Sequence, residues 1–141
     1  EVGVDRFVSL GSPHLPPPKD SGVFDQSRGI LDWLNDIAPG AFHADVKYVT
    51  ICGKCIKGSR FDAKDSSVGE KATGQAYKQV CGSAEAWGDG VVPVTSAHLS
   101  GAVQVNLQGI YHSPLGKGKE RLWYGSDGAV EQWVNHVYGD D

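Results

Sequence analysis

Two segments of the sequence carry residues that could act together as an acid and a base. The segment 87–94 reads Trp-Gly-Asp-Gly-Val-Val-Pro-Val and places the carboxylate of Asp89 on a tight turn between two glycines. His112 lies just past the end of a later predicted strand. A carboxylate that orients an imidazole makes up two thirds of a nucleophile–base–acid triad. The sequence therefore predicts acid–base chemistry at Asp89 and His112.

Three predicted strands alternate along the chain with three predicted helices. Their apolar residues recur with the periods of strands and of amphipathic helices. The predicted order is strand 4–10, helix 27–37, strand 46–52, helix 71–81, strand 103–108 and a last helix that begins near Ser126 or Asp127 and ends at Gly139. The polar segment 57–69 predicts a loop. This alternation favours an α/β fold of one domain, with a mostly parallel sheet of about three strands and helices on its faces.

Two tryptophans fall on the apolar stripes of these predicted helices. Trp33 shares its stripe with Ile30, Leu34 and Ile37, and Trp133 shares one with Val130, Val134 and Val137. Apolar residues at this spacing form the face that a helix turns toward a core. We therefore expect both tryptophans to be core residues.

In a parallel sheet, functional groups gather at the carboxyl ends of the strands. Ser12 and His14 follow the first predicted strand, and His112 follows the third. Asp89 is separated from the second strand by a loop and a helix. The sequence thus leaves open whether Asp89 reaches the same edge of the sheet.

Three motifs resemble the α/β-hydrolase superfamily, and most closely its lipase and esterase branch. They are Leu-Gly-Ser-Pro-His at 10–14, Gly-Asp-Gly-Val-Val-Pro at 88–93 and Tyr-His-Ser at 111–113. The likeness is to plant and cyanobacterial proteins related to the GPI inositol-deacylase-like group. It spans nearly the whole chain in the right order. The resemblance implies that residues 1–141 are the C-terminal half of a hydrolase fold, acting on an acyl ester or lipid.

The resemblance also implies roles for particular residues. Asp89 would be the triad acid and His112 the general base, in the order that this superfamily follows. Ser12, His14 and Trp87 would line the substrate site, and Trp123 would help to wall an acyl pocket. His98, beside the short helix that the family often has near the acid, would be structural.

The chain departs from the family pattern at the nucleophile. It contains no Gly-x-Ser-x-Gly elbow. Ser12 is a poor substitute because the residue after the nucleophile must donate its backbone N–H to the oxyanion, and Pro13 has none. Ser27 follows a loop and lacks the first glycine. We expect the nucleophile in an N-terminal half upstream, and we expect this chain alone to be inactive.

Two other functions stay open at this point. The chain could be a hydrolase-like module that binds a ligand without catalysis. It could also be a thiol or zinc protein, because Cys52 and Cys55 form a Cys-x-x-Cys pair. However, no good helix begins after Cys52, and only Cys81 and unpaired histidines could complete a zinc site. We therefore predict no metal and no cofactor.

The composition excludes some partners and indicates a setting. The net charge of −4 argues against nucleic acid, which needs a basic surface. No apolar run approaches the roughly 18 residues of a membrane span. Three cysteines, an odd and small number, favour a reducing compartment, and the resemblance implies the plastid or cytoplasm of a plant cell. The absence of methionine favours a processed or truncated product, whose first strand would expose an unpaired edge and make it poorly soluble.

Overall fold

A three-stranded parallel sheet forms the centre of the part of the chain that the computed structural model describes, residues 3–115 and 121–139. Its strands are β1 (Arg6–Leu10), β2 (Lys47–Lys54) and β5 (Val103–Gln108), in the order β1-β2-β5. Val8 pairs with Val49 in the first ladder, and Ile51 pairs with Val105 in the second. The predicted α/β class and the parallel arrangement are confirmed.

The central strand β2 is buried on both faces, as its apolar sequence predicts. Residues 49–53 are all buried. Val49 and Ile51 belong to a core cluster with Val105 and Leu107, whereas Cys52 belongs to a second cluster with Val92 and Ala97. Because successive strand residues point to opposite faces, the sheet separates two hydrophobic layers.

The last helix, α4 (Asp127–Tyr138), covers the first of these layers. Ala129 and Val137 are buried, and Trp133 packs against the core cluster as predicted. Gly139 caps the helix, and its N–H donates to the carbonyl of Asn135. The second layer is covered in part by a short helix, α3 (Val94–Ala97).

A longer helix, α2 (Val68–Cys81), begins three residues before its predicted start. Ser67 and Glu70 form a reciprocal capping box, in which each side chain accepts a hydrogen bond from the other residue's backbone N–H. This Ser-x-x-Glu pattern is a known start signal that the helical periodicity alone does not contain. Gly82, with φ 79°, ends the helix. The predicted loop 57–69 is therefore too long by two residues at its C-terminal end.

A small antiparallel ribbon, which the sequence did not predict, precedes the Asp89 turn. It joins β3 (Ile56–Lys57) to β4 (Trp87–Gly88). Two-residue strands are too short to show an alternation of apolar and polar residues. The ribbon ties the chain just after β2 to the residues just before Asp89.

The helix α1 (Ile30–Ile37) buries none of its residues. Trp33 is 60% exposed, so its assignment to the core is wrong. The periodicity predicts correctly that α1 is amphipathic, but periodicity cannot identify what covers the apolar face. The apolar residues of this face stay between 43% and 63% exposed: Ile30, Trp33, Leu34 and Ile37. The strand β1, which precedes α1, pairs only with β2 in the described sheet, so its other edge is open.

None of the described helices is both long enough and apolar enough to cross a bilayer.

Candidate active site

Asp89 lies on the turn between β4 and α3, and its side chain is fully buried. Its Oδ1 atom accepts hydrogen bonds from the backbone N–H groups of Val91, at 3.0 Å, and Val92, at 2.7 Å. The turn closes where the N–H of Asp89 donates to the carbonyl of Val92. Gly90, with φ 99°, makes this tight path possible, because such a value of φ strains any other residue. The two flanking glycines of the motif thus serve to aim the carboxylate.

His112 follows β5 after the buried Ile110 and contacts Asp89 directly. Its Nδ1 atom lies 2.9 Å from Oδ2 of Asp89, and its backbone N–H donates to the carbonyl of Asp89 at 2.9 Å. The carboxylate therefore selects the tautomer that carries the proton on Nδ1. The other ring nitrogen, Nε2, makes no hydrogen bond to any of the described residues. The His112 side chain is 36% exposed, so the base is accessible while the acid is not.

Tyr124 is a third member of the site that sequence reasoning missed. Its hydroxyl donates to Oδ2 of Asp89 at 2.7 Å and accepts the backbone N–H of Gly53 at 2.8 Å. With the two backbone donors and His112, four hydrogen bonds compensate the buried carboxylate. Tyr124 belongs to no motif; its position two residues before the cap of α4 gave no signal of this contact.

A second buried tyrosine holds the turn from the side of α2. The hydroxyl of Tyr77 accepts the N–H of Gly90 at 2.9 Å and donates to the carbonyl of Ile56 at 3.2 Å. Burial raises the pKa of this hydroxyl well above its usual range, so it stays protonated. No motif of the sequence indicates that Tyr77 contacts the Asp89 turn.

Two glycines at the carboxyl ends of neighbouring strands bring the sheet against the acid. A Cβ atom at Gly11, just after β1, would lie 2.5 Å from Oδ2 of Asp89 and 2.6 Å from the hydroxyl of Tyr124. A Cβ atom at Gly53, near the end of β2, would lie 3.0 Å from Cβ of Asp89. Asp89 and His112 thus both lie at the carboxyl edge of the sheet. The sequence had left the position of Asp89 open.

An open cavity of about 180 Å³ adjoins the pair. His112 and Asp89 line it, together with residues from α2 and from the segments on either side of the histidine. Arg121 also lines it, with its guanidinium 4.4 Å from the centre of the Tyr111 ring. Two hydroxyl residues, Thr73 and Ser113, border the same space. Neither stands on a strand-to-helix elbow, since Thr73 lies within α2 and Ser113 directly follows His112.

The residues predicted to bind substrate do not border this cavity. His14 lies on the face of the sheet away from α4, with Nε2 2.8 Å from Oγ of Ser9, in a separate cavity of about 250 Å³ beside Phe7 and Leu34. Trp87 is exposed, with the ammonium of Lys54 5.6 Å from its ring centre. Ser12 is half-buried directly after Gly11. Trp123 is likewise outside the cavity, so the substrate roles of all four stay predictions.

His98 has both of its ring nitrogens occupied. Nδ1 lies 2.9 Å from Oγ1 of the buried Thr50, and Nε2 lies 3.1 Å from Oδ1 of Asn106. A histidine bonded at both nitrogens cross-links its neighbours and has no lone pair free for a substrate. This geometry agrees with the structural role predicted for His98.

The Cys-x-x-Cys thiols are free and sit near the acid. Burial, and then the negative charge of Asp89, raise the pKa of Cys52 and of Cys55 from 9.0 to about 12. A thiol with so high a pKa is a weak nucleophile near neutral pH. Across the described parts of the chain, no three His, Cys, Asp or Glu side chains are grouped so as to hold a metal ion.

No protein family model, curated protein or solved structure matches this chain. The class of this protein is therefore described from its own fold and from the geometry of its site. The chain is a mixed α/β protein with a three-stranded parallel sheet, and a buried carboxylate and a half-exposed histidine are hydrogen-bonded at the carboxyl edge of that sheet.

Proposed function

We propose that the chain is the acid–base half of a serine ester hydrolase that acts on an acyl ester or a lipid. The observation that carries this proposal is the His112–Asp89 hydrogen bond, which leaves Nε2 of an accessible imidazole with no partner among the described residues. The three motifs that resemble the lipase and esterase branch support the same function. An intracellular setting is part of the proposal: the three cysteines favour a reducing compartment, and the plastid or cytoplasm rests on that resemblance alone.

In the proposed reaction, Nε2 of His112 takes the proton of a serine hydroxyl as its oxygen attacks the ester carbonyl. The imidazolium then returns that proton to the leaving alkoxide, and an acyl-enzyme remains. Next, His112 takes a proton from water, the hydroxide attacks the acyl carbonyl, and the proton returns to the serine oxygen. Asp89 keeps its charge throughout, since it orients the ring and stabilises the imidazolium.

The nucleophile is proposed to lie on a preceding half of the same domain. Ser12 is excluded by Pro13, and Thr73 and Ser113 are not on an elbow. Two surfaces favour a further half: the open edge of β1 and the exposed apolar face of α1. The two surfaces adjoin, because Phe7 of β1 and Leu34 of α1 border one cavity. A strand added beside β1 would extend the parallel sheet.

Fluorophosphonate labelling of the native source protein tests the proposal, with the intact mass read on the labelled species. A serine nucleophile activated by this pair should react and give a labelled species heavier than the 15.0 kDa of the present chain. His112→Ala should abolish the labelling. His136→Gln is the matched control, since His136 lies on α4 and borders neither the Asp89 cavity nor the cavity between Phe7 and Leu34.

Two outcomes would contradict the proposal. A source protein that folds, contains this segment and resists labelling would be a hydrolase-like binding module instead. Labelling that survives His112→Ala would show a reactive serine that does not depend on this pair.

A further inference from the structure

The hydroxyl of Tyr124 bonds the carboxylate of the pair, and its ring packs edge-on against the imidazole, with the ring centres 6.4 Å apart. We propose that Tyr124 is a positioning residue. It sets how strongly Asp89 bonds the imidazole of His112 and stabilises its protonated form. This inference rests on the proposed function, because it concerns the same pair. It adds a member that neither the motifs nor the triad chemistry assigns.

Tyr124 and His112 share a single oxygen of Asp89. The tyrosine hydroxyl lies 2.7 Å from Oδ2, and Nδ1 of His112 lies 2.9 Å from the same atom. The other oxygen, Oδ1, is occupied by two backbone N–H groups. Because the Tyr124 hydroxyl already bonds Oδ2, it weakens the attraction of that oxygen for the imidazole proton.

The direction of the tyrosine O–H bond is determined by its neighbours. Its oxygen accepts the N–H of Gly53, so the hydroxyl proton is left for the carboxylate. Burial, and then the charge of Asp89, raise the pKa of Tyr124 far above its usual range, so the group remains a donor at any pH where the pair would work. Tyr124 thus gives Asp89 a permanent hydrogen bond.

The surrounding packing leaves the tyrosine no alternative position. Tyr124 is buried, and its carbonyl accepts the indole N–H of Trp133 at 2.9 Å. Gly11 approaches the hydroxyl so closely that a Cβ atom there would collide with it. The hydroxyl is therefore held against Oδ2 from the side of α4 and from the end of β1 together.

Removal of this hydroxyl has a consequence with a definite sign. In Tyr124→Phe, Oδ2 keeps only His112 as a partner, so more of its charge acts on the imidazole. The imidazolium is then stabilised, and a higher pH is needed to free the base. A residue with a merely structural role would lower the amount of folded protein but would not move the pH profile.

The test compares Tyr124→Phe with Tyr138→Phe in the source protein. Tyr138→Phe removes a tyrosine hydroxyl at the last residue of α4, which is 71% exposed and does not border the Asp89 cavity. The first readout is the low-field proton resonance of the His112 Nδ1–H group, assigned by its loss in His112→Gln. The second is the fluorophosphonate labelling rate as a function of pH.

For Tyr124→Phe we expect the resonance to move downfield and the acid limb of the profile to move to higher pH. The rate at about pH 6, relative to about pH 8, should fall by roughly threefold to tenfold, which corresponds to a limb moved by about half a pH unit to one pH unit. Tyr138→Phe should leave both the resonance and the limb in place. In Asp89→Asn, adding Tyr124→Phe should cause no further change of the limb.

The outcomes separate this inference from the proposed function. An unchanged resonance and an unchanged limb in folded Tyr124→Phe, or equal shifts in Tyr138→Phe, would overturn the positioning role. If the wild-type protein resists labelling, the proposed hydrolase fails, yet the resonance still decides whether Tyr124 controls the pair.

Discussion

His112 is joined to Asp89 at two points, although 23 residues separate them in sequence. The imidazole Nδ1 bonds the carboxylate, and the backbone N–H bonds the carbonyl, each at 2.9 Å. The second bond fixes the main chain of the histidine relative to the turn, so the ring needs only its side-chain rotamer to reach Oδ2. The carboxylate and the imidazole are therefore held in a fixed mutual orientation by this chain alone.

Asp89→Asn should remove most of the activity of the source protein while preserving the fold of the turn. The amide oxygen can still accept the two backbone N–H groups, but the amide nitrogen cannot accept the proton on Nδ1. The histidine then adopts the wrong tautomer, and ester hydrolysis should fall by about 10⁴-fold. Steady-state rates on a short-chain ester measure this loss. A folded Asp89→Asn protein with near-wild-type rates would contradict the role of the acid.

Gly11→Ala should destabilise the chain far more than Gly22→Ala. Both glycines have positive φ, 56° and 69°, but a Cβ atom at Gly11 collides with Asp89 and Tyr124, whereas at Gly22 it meets open space. Gly22→Ala should cost about 1 kcal/mol for its backbone alone, and Gly11→Ala about 3 kcal/mol or more. Urea unfolding measures both free energies. Equal losses would mean that Gly11 does not pack against the acid.

Cys52 and Cys55 should be alkylated very slowly in the folded chain. With a pKa of about 12, against the usual 9.0, each thiol has roughly a thousandfold less thiolate near pH 8 than in the unfolded chain. The rate should rise about tenfold for each pH unit, because the thiolate fraction does so below the pKa. Iodoacetamide labelling with and without denaturant, read by mass spectrometry, tests this. Fast alkylation of these thiols in the folded chain would contradict this prediction and favour a thiol function.

Expressed alone, the chain should self-associate through α1 and the edge of β1. Trp33→Gln removes an apolar side chain that is 60% exposed and should raise the monomer fraction. Phe61→Gln is the matched control, since Phe61 is 76% exposed but lies in the loop before α2. Size-exclusion chromatography with light scattering gives the molar mass. A monodisperse wild-type monomer with a sharp unfolding transition would count against both exposed surfaces as contacts.

Most of the sheet could be predicted because each strand meets the same environment along its length. The sequence of β2 is apolar on both faces since both are covered, and the alternation in β5 marks one covered face. Asp89 and His112 could be selected because their motifs resemble those of the lipase and esterase branch, since an Asp-Gly turn alone is common. The order of elements left their contact open, and the structure supplies it.

The rest depends on contacts that leave no periodic signal. Tyr124 reaches Asp89 across 35 residues, and no spacing rule connects them. Trp33 has the pattern of a core residue, yet burial depends on a neighbour that the described residues do not supply. His14 is expected near the site because it follows the end of a strand. Its side chain instead bonds Ser9 of β1.

The N–H of Gly90 donates to the hydroxyl of Tyr77 and ties the acid turn to α2, so we expect the helix and the turn to open together. When α2 opens, Gly90 loses its acceptor and the turn loses its support on that side, while the three sheet strands keep their own ladders. The amide of Gly90 should therefore exchange with deuterium at the rate of α2 rather than at the slower rate of β2. Local opening of this one helix would thus reversibly disturb the hydrogen-bonded pair of Asp89 and His112, without unfolding of the domain.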